Sequence, residues 1–124
     1  RLAIVPLVLE ARGLDVTPAM ILRFRKQGDE ATATILETIL EDEIGHVAAG
    51  RRWFQYLCRE KGQTATTLCH KLVREFYRGQ IKPPFNESAR RAAGFDPAYY
   101  LPLIKNAAPH TTYSGLTGPK RDIL

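Results

Sequence analysis

The stretch of sequence that decides the fold spans residues 29–61 and reads DEATATILETILEDEIGHVAAGRRWFQYLCREK. Asp29 is a typical helix N-cap and Gly62 a typical helix terminator, so the stretch predicts one long helix. Steps of three and four residues mark one stripe along this helix: Leu36, Ile39, Glu43, His46, Gly50, Trp53 and Leu57. Such a stripe ordinarily packs into a bundle core, so the helix is predicted to turn a carboxylate and an imidazole inward.

Glu43 and His46 form a Glu-x-x-His pair, and a buried pair of this kind is costly unless something neutralises it. A metal ion does so directly. Upstream, Glu10 is the only charged residue between Leu2 and Ala11. A chain that turns near Gly28 and doubles back brings Glu10 to nearly the level of the pair, because the two legs differ by about one helical turn. We therefore predict Glu10, Glu43 and His46 as metal ligands converging inside a helical bundle.

An alternative core stripe on the same helix leaves Glu43 outside. It consists of Leu40, Ile44, Val47 and Phe54. The acidic neighbours of Glu43 would then be a solvated run, and His46 alone also fits a hydrogen-bonded core histidine. Asp42 and Arg12 are weaker candidates for residues that contact the metal ligands rather than the metal. Arg12 also fits a salt partner of Glu10. The spacing alone leaves these alternatives open.

The rest of the chain reads as helices and turns. We predict helices over residues 2–14, from Thr17-Pro18 to about 28, and over 64–78, then short helices after Asn86 and Asp96, and an irregular tail after Asn106. No strand-like alternation of useful length appears, so the fold class is all-α. We predict a bundle half over residues 1–79 and a C-terminal part over 80–124 that packs on it.

The motif resembles a known half-site. One Glu on a helix followed by Glu-x-x-His on the next is similar to ferritin-like di-iron carboxylate proteins, whose bundle uses that half twice. Residues 9–18 (LEARGLDVTP) and 41–47 (EDEIGHV) further resemble a ferritin-like, mainly bacterial family called domain of unknown function 455. The likeness extends to KPPFN at 82–86 and AAG at 92–94, and distantly to the tRNA-modifying di-iron monooxygenases.

The resemblance implies a ferritin-like bundle half with an Fe (di-iron) or Mn site. In such sites the Glu of Glu-x-x-His bridges two metals, so Glu43 would bridge, Glu10 would be a terminal ligand and His46 would bind through a ring nitrogen. The family's complete proteins carry a further N-terminal helix pair with its own Glu and Glu-x-x-His, which these 124 residues do not supply. The chain also opens on Arg1 rather than Met. We expect either a missing N-terminal half or a homodimer that rebuilds the site by two-fold pairing.

Charge and cysteine usage narrow the partners and the compartment. The formal net charge is +5, but the basic residues are scattered among 13 acids, so solvated faces explain them better than a nucleic-acid interface. No run of about 18 apolar residues is present, which argues against a membrane span. Cys58 and Cys69 are not in Cys-x-x-Cys spacing and are expected to be small buried residues of a protein in the reducing cytoplasm.

Three classes of function are compatible with this pattern. The first, an O2-dependent oxidoreductase or hydroxylase of unknown substrate, follows from the resemblance and predicts bound metal. A metal-storage or ferroxidase protein would use the same ligands and form large symmetric assemblies. A metal-free structural helical module would pair Glu10 with a basic side chain. The first class is favoured, although the pattern assigns no catalytic residue and leaves open whether the chain is an enzyme.

Overall fold

A computed structural model describes residues 1–104 of the chain. Its elements are a π-helical segment (Val5–Glu10), α1 (Ala11–Lys26), α2 (Glu30–Glu60), α3 (Ala65–Phe76), α4 (Glu87–Ala92) and two 3-10 turns (Pro97–Tyr99 and Leu101–Leu103). No β-strand occurs among these residues, and only one isolated bridge joins Ile81 to Ile104. The all-α prediction is confirmed. The irregular tail predicted after Asn106 lies outside the described residues.

The turn between α1 and α2 follows from capping. Gly28 has a φ of +82°, a left-handed conformation that ends α1. The Asp29 carboxylate then accepts a hydrogen bond from the Thr32 N–H at 3.0 Å, which caps α2. Gly62, with a φ of +66°, follows the end of α2. The predicted limits of the long helix are confirmed, and the short turn lays α1 and α2 side by side in opposite directions.

α1 runs through Pro18, so the prediction that Thr17-Pro18 opens a separate helix is wrong. Proline has no N–H to donate to the carbonyl oxygen four residues earlier, which here belongs to Leu14. The side-chain amide of Asn86 donates to that oxygen instead, at 3.0 Å. A donor from another part of the chain thus repairs the helix at the point where the sequence suggested a break.

The core of the described region lies on one side of α2. Val47, Phe54 and Cys58 are buried there, with Leu40 and Ile44 packed against them, so the core follows the alternative stripe. In the stripe first predicted to be buried, Ile39 is 46 % exposed, Trp53 58 % and Leu57 41 %. The prediction that this stripe is buried is wrong for the chain alone. The physical reason is that α2 is apolar on two sides, and the C-terminal segments cover only one of them.

A buried ion pair attaches the C-terminal part to α1. The Asp15 carboxylate accepts hydrogen bonds from Arg90 Nε and Nη2 at 2.8 and 2.6 Å, and from the Asn86 N–H at 2.8 Å. The Arg90 guanidinium carbon lies 4.2 Å from the ring centroid of Tyr100 and 4.9 Å from that of Phe85. Burial of a charged side chain requires such partners, and stacking on aromatic faces adds to them.

A second set of hydrogen bonds attaches the same part to α2. Arg51 Nε donates to the Ala93 carbonyl oxygen at 3.0 Å, and Gln55 Nε2 donates to the Tyr99 hydroxyl at 2.9 Å. Gly94, with a φ of +72°, leaves room for the Arg51 guanidinium.

In the described part of the chain, no helix is both long and apolar enough to cross a membrane.

The ion pair gives a stability prediction. Arg90→Ala is expected to lower the free energy of unfolding by about 3–5 kcal/mol, because it leaves the buried Asp15 carboxylate without its ionic partner. Arg91→Ala, which removes the exposed neighbouring guanidinium, is expected to change it by no more than about 0.5 kcal/mol. Urea denaturation at fixed protein concentration measures both. Equal effects of the two substitutions would contradict this role of Arg90.

Candidate metal centre

The three predicted ligands lie together. Glu10 is the last residue of the π-helical segment, and Glu43 and His46 lie one turn apart on α2. One ligand atom from each of the three side chains lies within 4.8 Å of the other two. The predicted convergence of these side chains is therefore found, although ligation of a metal by them stays a prediction.

The antiparallel packing of the two helices produces this meeting. Pro6 lies against Gly50, and Gly13 lies opposite Glu43, with the Glu10 carboxylate between these two levels. The π-helical segment and α1 follow each other without a break, and we call them together the first helix (residues 5–26). Each turn forward along the first helix is matched by one turn backwards along α2. Glu10 consequently reaches both members of the Glu-x-x-His pair, as expected for two legs that differ by about one helical turn.

The two oxygens of Glu43 have different neighbours. Oε1 lies 2.7 Å from His46 Nδ1, within hydrogen-bond distance. Oε2 faces Gly13, where an added Cβ would lie 3.6 Å away in ordinary van der Waals contact. Because Gly13 presents only backbone, the space beside Oε2 is free of any side chain at that position. Sequence analysis missed Gly13, although a glycine inside a helical pattern and one turn from a ligand is a usable signal.

The site is open on one side. The side chain of Glu43 is 22 % exposed and that of His46 61 % exposed, so the expectation that the ligands lie inside a bundle is wrong for the chain alone. Four exposed apolar side chains of α2 lie on the same helical stripe as His46; they form what we name the open face, namely Ile35, Ile39, Trp53 and Leu57. An apolar surface of this extent around polar groups is typical of a surface that binds a partner.

The environment of His46 raises its pKa above the ordinary value of 6.5. The hydrogen bond to Glu43 is the largest cause, and the negative charges of Glu43, Glu10 and Asp42 add to it, while partial burial lowers the pKa. A raised pKa means that this pairing stabilises the fold below the ordinary histidine pKa, and that the contribution is lost as the pH rises through the raised pKa. Metal ligation requires the neutral imidazole, so it is favoured by the same rise in pH.

The two weaker candidates lie apart from the ligands. Asp42 is exposed and acts on His46 only through its charge. Arg12 lies 3.4 Å from the Asp15 carboxylate and donates hydrogen bonds to the carbonyl oxygens of Lys82 and Pro84, at 2.9 and 3.2 Å. The interpretation of Arg12 as a salt partner of Glu10 is wrong, because the loop at residues 82–84 and Asp15 draw its guanidinium to the other side of the helix.

The donor set suits a divalent metal of the iron and manganese type. Two carboxylates and one imidazole are ligands that such ions accept. Ligand-to-metal distances of about 2.1 Å place ligand atoms at most about 4.2 Å apart. The present separations of up to 4.8 Å would thus have to shrink by about half an ångström on binding of one ion by all three groups.

Comparison with known proteins gives a family without an assigned activity. The family described as "Protein of unknown function (DUF455)" matches residues 1–101. A Haemophilus influenzae protein described as "Uncharacterized protein" is 43 % identical over 99 residues, which cover 77 % of this chain and 33 % of that protein. The chain therefore spans about a third of the length of this relative. No solved structure matches the chain.

The Glu43–His46 hydrogen bond gives a pH prediction. Glu43→Gln is expected to lower the pKa of His46 towards its ordinary value, because it removes the largest cause of the rise. Asp42→Asn removes the same charge from the neighbouring residue without touching the hydrogen bond, and should lower that pKa less. NMR titration of the His46 ring protons in chelator-treated protein measures both. A larger effect of Asp42→Asn would show that the hydrogen bond does not control His46.

Proposed function

Since the chain belongs to the DUF455 family of proteins of unknown function, we propose its function from the site itself: it supplies half of a ferritin-like di-metal carboxylate centre. The observation that carries this proposal is the meeting of Glu10, Glu43 and His46 within 4.8 Å of one another on two antiparallel helices. The ions are Fe(II) or Mn(II), which suit oxygen and imidazole donors. The activity of the whole protein is proposed to be O2-dependent oxidation or hydroxylation of an organic substrate.

Each side chain has a distinct role in this proposal. Glu43 would bind through its two oxygens, of which Oε1 lies beside His46 and Oε2 beside the backbone of Gly13. Glu10 would bind from the other helix, and His46 would bind through a ring nitrogen after release of its hydrogen bond to Glu43. The two metal ions, when bound, would supply two electrons for the reduction of O2, and an external reductant would return them after each turnover.

A second half-site is needed to complete the centre. Three side chains leave coordination positions of two ions unfilled, and the open face exposes the ligands on the side where further donors would come. A second copy that pairs through the open face by a two-fold axis brings the same three side chains again. In a longer protein, another part of the chain can take this place. Either partner also removes the apolar side chains from water and shields the site.

The metal-free structural alternative is less well supported. It expects Glu10 to pair with a basic side chain, whereas the ion pairs among residues 1–104 do not include Glu10. A storage or ferroxidase function would use the same ligands, and the size of the assembly separates it from an oxidase. A large symmetric shell without an organic substrate would indicate storage.

Metal binding is the direct test. The chain is expected to bind Mn(II) or, without oxygen, Fe(II). The double substitution Glu43→Ala with His46→Ala is expected to abolish binding while leaving helix content largely intact, because Glu43 and His46 lie at the rim of the core and their removal leaves the buried residues in place. Isothermal titration calorimetry measures binding, and far-UV circular dichroism measures the helices.

Asp42→Ala with Glu41→Ala is the matched control, since both are exposed carboxylates on the same helix. This variant should bind metal as the wild type does. Equal loss in both variants would indicate unspecific attraction by negative charge. If the wild-type chain binds no metal, the same titration is done on a longer version extended upstream of Arg1. Metal binding by the longer version would show that the second half-site is supplied from there. Absence of metal binding in both versions would refute the proposal.

The open face gives a prediction about assembly. The chain is expected to be a dimer in solution, and Ile39→Glu with Trp53→Glu should convert it to a monomer, because charge on both residues prevents burial of the face. Phe76→Glu is the control, since Phe76 is as exposed as Trp53 but lies on α3. Sedimentation velocity measures the mass. A wild-type monomer at about 100 μM would rule out completion of the site by a second copy.

A further inference from the structure

α2 has one glycine within the Glu-x-x-His pair and one beyond it, and the two lie in different environments. Gly45 lies next to His46 in sequence, and a Cβ added there would meet nothing within 4 Å. Gly50 lies one turn beyond His46 and is buried. A Cβ added at Gly50 would overlap Cβ and Cγ of Pro6 and would lie 3.7 Å from Pro6 Cα. The backbone of α2 at Gly50 therefore packs directly against the proline ring of the first helix.

This contact lies one turn from the ligands on both helices. Pro6 precedes Glu10 by four residues, and Gly50 follows His46 by four residues. The side chains at a helix contact set the distance between the axes, and glycine permits the closest approach. Any increase in the separation of the backbones at Pro6 and Gly50 moves Glu10 away from Glu43 and His46. The sides of the site are thus held together by a contact that includes none of the ligands.

We propose that Gly50 is a positioning residue for the site: its contact with Pro6 sets the helix separation at which Glu10 reaches Glu43 and His46. The inference rests on the proposed function for its consequence in metal binding, whereas the geometry applies to the metal-free chain as well. It also explains a local cost. Glycine is unfavourable in the interior of a helix, and at this position it permits the close approach of the two backbones.

The experiment compares the same methyl group at two positions. Gly50→Ala is expected to weaken Mn(II) binding about 10- to 100-fold, the range seen when residues that orient metal ligands are lost. Gly45→Ala should change it less than about threefold, because its methyl group meets open space. Titration calorimetry of the full chain provides both values, and thermal unfolding shows whether each variant is folded.

A compensating substitution at Pro6 is expected to restore the metal affinity that Gly50→Ala loses. In Pro6→Gly with Gly50→Ala, the ring atoms that the new methyl group would overlap are gone and Pro6 Cα, now that of glycine, remains in ordinary contact. Mn(II) affinity is expected to return to within about threefold of that of Pro6→Gly alone, since the helices can again approach. The rescue shows that the effect of Gly50→Ala comes from its overlap with the Pro6 ring, and the metal-free readout below shows whether that overlap displaces the site.

A readout without metal separates this inference from the proposed function. In chelator-treated protein, NMR cross-peaks between the Glu10 side chain and the His46 ring are expected in the wild type and in Gly45→Ala. They should disappear in Gly50→Ala and return in the swapped variant. Loss of the cross-peaks in a chain that binds no Mn(II) would refute the metal proposal and uphold the positioning role. Unchanged cross-peaks in Gly50→Ala would overturn the positioning role.

A misfolded Gly50→Ala variant does not end the test. The swapped variant then decides alone: cross-peaks between Glu10 and His46 that match those of Pro6→Gly uphold the role of the contact. Their absence in a folded swapped variant overturns it.

Discussion

A carboxylate buried in an apolar core has to be neutralised and hydrogen-bonded, and Asp15 meets this requirement through Arg90, 75 residues further along the chain. This ion pair joins the C-terminal segment to α1, and the hydrogen bonds of Arg51 and Gln55 join the same segment to α2. The segment consequently covers the side of the helix pair that carries Val47 and Phe54, and the opposite side stays free. The side of the helix pair that stays uncovered is therefore decided by contacts that include none of the site residues.

Capping residues in the sequence were sufficient to predict the limits of most of the helices. Asp29 and Gly62 gave the limits of α2, and Asn86 caps α4 through its side chain, as the sequence predicted. The continuity of α1 through Pro18 could not be predicted in this way. It depends on the Asn86 amide that reaches the Leu14 carbonyl oxygen, and a donor so distant in sequence is invisible to any pattern within one helix.

The convergence of Glu10 with Glu43 and His46 was predictable because it requires only helical rise and a reversal of direction. The burial of these residues was not predictable, because α2 carries apolar residues on two sides and periodicity alone does not say which side the rest of the chain covers. Arg12 shows the same limit. Its nearest acid in sequence is Glu10, but Asp15 and the carbonyl groups of residues 82 and 84 bind its guanidinium instead.

The Asn86 amide also has a consequence for the order in which the protein is made. A helix around residues 14–18 leaves the ribosome long before residue 86 is synthesised, so the Leu14 carbonyl oxygen must be served by water during that interval. The Leu14 carbonyl oxygen therefore receives its donor, the Asn86 side-chain amide, only after all of α2 has been synthesised. The two helices can pack on each other during synthesis, whereas closure of that hydrogen bond has to wait for residue 86.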